Sequence, residues 1–165
     1  TEWIDHTIEA LETLCPGKSI WFTEWNIGAE GLGQWKDTGG ELHFLASMFE
    51  RFASRRDVVN IACLHQLSGD KFATFAFSQA NLNVQRYASW HLCKLLGHQF
   101  ANIEALHRAD FAGSDLYGFA TETAGDLKLF VVNPSDQPFN LALKSLGMQG
   151  GHRYWIDAAP EVKLD

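Results

Sequence analysis

"SIWFTEWNIG", residues 19–28, decides how this chain is read. Ile20, Trp21, Phe22 and Trp25 are bulky and apolar, as a buried strand requires, and Gly28 opens a glycine-rich stretch that ends it. Glu24 and Asn26 do not fit a purely structural strand. Strict alternation sets Ile20, Phe22, Glu24 and Asn26 on one face, and Trp21, Thr23 and Trp25 on the other. In a parallel α/β unit, functional groups gather at the C-terminal ends of strands, which is where Glu24 stands.

The flanking segments support a parallel α/β unit. Upstream, Ile4, Ile8, Leu11 and Leu14 recur at near-helical spacing, and Pro16-Gly17 stops the helix. Downstream, "GAEGLGQWKDTGG" (28–40) reads as a loop. "ELHFLASMFERFASRRD" (41–57) reads as a helix with a stripe of Leu42, Leu45, Ala46, Phe49, Phe52 and Ala53. Its "SMFERF" run reads as core plus solvated charge. "VVNIACLHQLSG" (58–69) is a second apolar strand that ends in His65 and Gln66. "DKFATFAFS" (70–78) is a loop or short extended piece. "QANLNVQRYASWHLCKLLG" (79–97) is expected to be a third helix, with Val84, Tyr87, Ala88, His91 and Leu92 on one side. After Phe100 the period changes. Short runs such as "DLYGFATET" and "DLKLFVVN" alternate with turn-rich links, the pattern of antiparallel β structure. The expected architecture is therefore α/β over residues 1–100, with a parallel sheet under helices, and a small antiparallel β-sandwich over residues 101–165.

Composition narrows the function classes. Hydrophobic residues make up 46% and charged residues 20% of the 165, which suits a folded core rather than disorder. The net charge is −7 and no basic stripe exists, so nucleic acid is excluded as an expected partner. No apolar run reaches the ~20 residues of a membrane span. Cys15, Cys63 and Cys93 are far apart in apolar surroundings, which points to buried free thiols rather than disulfides or a CxxC metal site. The histidines show no metal-ligand spacing, and neither GxGxxG, a P-loop nor GxSxG occurs. No metal and no cofactor are expected.

The order of these pieces resembles the end of the barrel of a retaining glycoside hydrolase of clan A, closest to the α-L-arabinofuranosidase family, with β-xylosidases and endoglucanases nearby. The sharp motif is "TEWN" (23–26). The correct sequel follows it: a glycine-rich loop, a helix, a strand ending in polar residues, a helix, and short strands with "VVNPS" (131–135). The resemblance implies the C-terminal portion of a (β/α)8 barrel followed by a β-sandwich, acting on plant-type polysaccharide or oligosaccharide. It implies that Glu24 is the catalytic nucleophile. It also implies a second Glu, after an Asn at another strand end, as acid/base, and this chain holds no "NE" dipeptide. The expectation is a fragment lacking the acid/base and inactive alone. The absence of Met at the start agrees with an excised piece.

Trp25 and Trp35 are candidate sugar-stacking rings, and Asn26, His65 and Gln66 are candidate substrate contacts. The expected partners are a carbohydrate and, for the exposed strand edges, either a second copy or the missing part of the barrel. Two rival readings remain: a non-catalytic carbohydrate-binding or accessory module, and an unrelated α/β–β protein in which "TEWN" is a coincidence.

Overall fold

The computed structural model describes residues 2–27, 38–66, 68, 73–78, 83–109, 111, 113–135 and 137–140. Helix α1 (Glu2–Leu14) precedes strand β1 (Ile20–Trp25), helix α2 (Gly39–Ser54) and strand β2 (Val59–Leu64). β1 and β2 pair in parallel, with α2 as the crossover. Strands β3 (Phe75–Ser78) and β4 (Asn83–Arg86) form an antiparallel pair, followed by helix α3 (Ala88–Gln99). Strands β5 (Ala105–Arg108), β6 (Tyr117–Thr123) and β7 (Asp126–Val132) form an antiparallel meander. No described helix is long and apolar enough to cross a membrane.

α2 starts at Gly39, two residues before the expected Glu41, and ends at Ser54. Thr38 is extended, and its hydroxyl accepts the Glu41 N–H at 3.4 Å, the first half of a T-x-x-E cap. The helix is buried on more than the one stripe expected. Phe52 packs on Phe22 and Trp25 of β1 and Leu45 is fully buried in the core, while Ser47 and Glu50 are buried as well. Glu50 is therefore not solvated charge. It accepts a hydrogen bond from Ser54 Oγ at 2.7 Å. The reason is a second neighbour: α2 also packs against the meander. There Ser47 Oγ donates to the His43 carbonyl at 2.8 Å and meets the Tyr117 hydroxyl at 2.7 Å. α1 is fastened by Ile4 and Ile8, both fully buried, and by two ion pairs to α2, Asp5–Arg51 and Glu12–Arg55.

The expected third helix is divided. Asn83–Arg86 within it is β4, and α3 begins only at Ala88. Hydrogen bonds between β3 and β4 override the helical spacing of Val84 and Tyr87, because a short amphipathic segment takes the partner that tertiary contact offers. His91 is exposed, whereas Leu92 is buried. In the C-terminal part, Phe100 packs edge-on against Phe119 and Phe130 at 5.2 and 6.0 Å, joining the end of α3 to the meander. The further strands expected after residue 140 lie outside the described residues.

Gly118 sits where β6 and β7 approach closely. A Cβ placed there would meet the Phe130 carbonyl oxygen at 1.9 Å. Backbone cannot step aside as a flexible side chain does, so Gly118→Ala is expected to cost about 1–3 kcal/mol, measurable as a lower urea midpoint.

The thiols also depart from expectation. Cys15, just past the end of α1, and Cys63, on the uncovered face of β2, are both exposed. Cys93 is half-buried, and burial, followed by the Glu41 carboxylate, pushes its thiol up from 9.0 to about 11. Burial also pushes the Tyr117 phenol up to about 12. Both groups fold as neutral acids and ionise sooner in the unfolded chain. The Cys93 contribution is intact below pH 9.0 and is lost as pH rises toward about 11, and that of Tyr117 is intact below pH 10.0 and is lost toward about 12. At mildly alkaline pH a thiol reagent should modify Cys15 and Cys63 quickly and Cys93 only on unfolding. The denaturant midpoint should fall above pH 9.0, less steeply in Cys93→Ala.

Candidate functional site

The C-terminal ends of β1 and β2 carry the polar residues of interest. Their arrangement follows from two irregularities in the pairing. Ile20 pairs with Val59, but Trp21 pairs with Ile61, so Asn60 is extra in β2. Phe22 pairs with Ala62 and Trp25 with Leu64, so Thr23 and Glu24 together stand opposite Cys63. Such a bulge changes which face the following residues take. Strict alternation is thereby corrected. Phe22 and Trp25 both turn toward the helices, and Glu24 turns away from them.

Among the described residues the face opposite the helices is open. It carries Trp21 (61% exposed), Ile61 (39% exposed) and Cys63. The expectation of strands covered on both faces is not met among the described residues. Glu24 stands at the upper end of this face with its side chain 70% exposed, and its Oε2 lies 3.7 Å from Nδ1 of His65, itself 41% exposed. That separation is an ion-pair contact rather than a hydrogen bond. In such exposed surroundings it contributes at most ~1 kcal/mol to stability. Its value to a site is that two functional side chains share one place.

Trp25 has a different role from the one expected of it. Its ring is 7% exposed and lies edge-on against Phe49 and Phe52, each at 5.2 Å. A ring enclosed in this way has no face left for a sugar, and its part is packing. Sequence reasoning overlooked Trp21 as the ring on the open face. The clue was the unbroken apolar run Ile20–Phe22, which leaves one large ring unaccounted for if Ile20 and Phe22 face the helices.

Asn26 ties the two strand ends together. Its side-chain amide donates to the His65 carbonyl, and its own carbonyl oxygen accepts the Ile27 N–H at 2.6 Å. The His65 N–H donates to the Trp25 carbonyl at 2.9 Å, which extends the ladder one residue past β2. Gln66 is half-buried, and its carbonyl accepts the Thr74 N–H at 3.3 Å. Trp35 lies outside the described residues. Glu24, Asn26, His65 and Gln66 are thus brought to one end of the parallel pair.

Chemically, the strand ends at residues 24–27 and 64–66 offer one carboxylate, one imidazole and two carboxamides. One carboxylate can attack an electrophilic carbon, but acid–base work on the leaving group needs a second. Among the described residues no group of three His, Cys, Asp or Glu side chains is placed to hold a metal ion.

The division of roles between the two tryptophans is testable by urea unfolding. Trp25→Ala should lower stability by about 3–5 kcal/mol, as loss of a core aromatic does. Trp21→Ala should stay within ~0.5 kcal/mol of wild type.

In comparisons with protein-family models, curated proteins and solved structures, nothing matches this chain.

Proposed function

We propose that this chain is the C-terminal part of a retaining glycoside hydrolase of the arabinofuranosidase-like kind, with Glu24 as its nucleophile. The observation that carries the reading is the placement of Glu24. It ends a parallel strand, faces away from the covering helices, and has His65 beside it. The remaining strands of a (β/α)8 barrel would cover Trp21 and Ile61, and the meander would begin the β-sandwich that follows the barrel.

In this reading a Glu24 carboxylate oxygen attacks the anomeric carbon. The bond to the leaving oxygen breaks, and that oxygen takes a proton from a carboxylic acid supplied from outside the described residues. The glycosyl–Glu24 ester is then hydrolysed by water, which gives its proton to the same carboxylate, with net retention. His65 and Gln66 border the sugar. The absence of a second carboxylate at the two strand ends favours one rival, a module that binds carbohydrate without turning it over.

The test uses the natural polypeptide that carries this chain and a panel of aryl arabinosides, xylosides and glucosides. Glu24→Ala should lower kcat on the order of 10⁴-fold. Added azide should restore cleavage by occupying the vacated place, giving a glycosyl azide of inverted anomeric configuration. Activity that survives Glu24→Ala, or an inverted sugar from the wild type, overturns the reading. Sugar affinity with no turnover selects the binding module. The 165-residue chain by itself should not turn over any of these substrates.

A further inference from the structure

We infer that Asn26 is a positioning residue, whose carboxamide latches the ends of β1 and β2 and so holds Glu24 beside His65. The inference deepens the hydrolase reading and rests on it for its catalytic consequence, although the latch itself does not depend on that reading.

The need for a latch follows from the strand pairing. The two β1 residues that bulge opposite Cys63 end in Glu24 itself, so the regular ladder is loosest where the carboxylate stands. Beyond it the strands stay joined by the Trp25–Leu64 pairing and by the His65 N–H, which donates to the Trp25 carbonyl. The Asn26 side chain adds the next cross-strand tie, to the His65 carbonyl. It also caps its own chain by accepting the Ile27 N–H at 2.6 Å. One carboxamide thus uses its donor across the strands and its acceptor along the chain. A carboxamide does this because its donor nitrogen and acceptor oxygen share one carbon. The two side chains that the latch brings together are Glu24, two residues before Asn26, and His65, whose carbonyl Asn26 holds, and they lie 3.7 Å apart. Ile27 is buried, so the chain leaving the latch is anchored too. A nucleophile must be held within a fraction of an ångström of its productive place, and a displacement of about 1 Å costs up to ~100-fold in rate.

The first arm of the test is NMR on the 165-residue chain and needs no activity. In wild type, the Asn26 side-chain amide protons should exchange at least ~10-fold more slowly than those of the exposed Asn102. A nuclear Overhauser contact should join the Glu24 γ-methylene to the His65 ring. Asn26→Asp keeps the acceptor for Ile27 N–H but loses the donor to His65. It should abolish the Glu24–His65 contact and speed exchange of the His65 amide, while the Ala62 amide stays protected. Unprotected Asn26 amide protons in wild type, or a Glu24–His65 contact that survives Asn26→Asp, overturns the latch. If the variant does not fold, the wild-type exchange rate alone decides.

The second arm is kinetic, in the natural polypeptide. Asn26→Asp should lower kcat about 10–100-fold with KM unchanged. A raised KM at unchanged kcat would make Asn26 a sugar contact and overturn the positioning role. A wild type with no glycosidase activity would defeat the proposed function, and the NMR arm would still decide the latch.

Discussion

The ring of Trp25, enclosed by Phe49 and Phe52, is the contact on which the rest of the structure depends. Phe22 joins the same cluster, 5.1 Å from Phe52. Aromatic rings bury more area per residue than any other side chain, and edge-on pairs add to that burial. Because Trp25 and Phe22 must both enter the cluster, the two residues between them have to bulge outward. The outward turn of Glu24 is thus a consequence of packing on the other side of the strand.

α2 supports two neighbours at once. Phe49 and Phe52 serve the parallel pair, and Ser47 reaches Tyr117 of the meander. Its acceptance of α1 is electrostatic as well as apolar, since Arg51 and Arg55 face Asp5 and Glu12. A helix with neighbours on both sides must bury polar groups, and it does so with partners in place: Ser47 bonds to the His43 carbonyl, and Glu50 accepts from Ser54. This explains how a chain with so many large rings holds its helical part and its antiparallel part in one core.

The open face of β1 and β2 is the complement of this arrangement. All three helices add side chains to the common core, and Trp21 and Ile61 are left on the far side. A single exposed Leu or Val needs no explanation, but a tryptophan and an isoleucine paired across two strands at the foot of a polar cluster invite one. The proposed barrel supplies it: strand interiors that face the axis, with functional groups at their C-terminal ends.

Much of the local structure was legible in the residues. α1, α2 and the two parallel strands follow from spacing and from their stop signals, and the change to antiparallel β structure after Phe100 is equally plain. β4 was not legible, because Asn83–Arg86 has helical spacing and pairs only when β3 is beside it. The candidate residues Glu24, Asn26, His65 and Gln66 were legible as polar residues at the ends of apolar runs. Their faces were not. By itself the sequence determined that two apolar strands end in polar side chains at the same end of a parallel pair. Only the tertiary structure decided that Trp25 is core, that Glu24 faces outward and that Asn26 spans the strands. Alternation is a local rule, whereas a bulge is set by the register between strands, and register is chosen by which rings pack on α2.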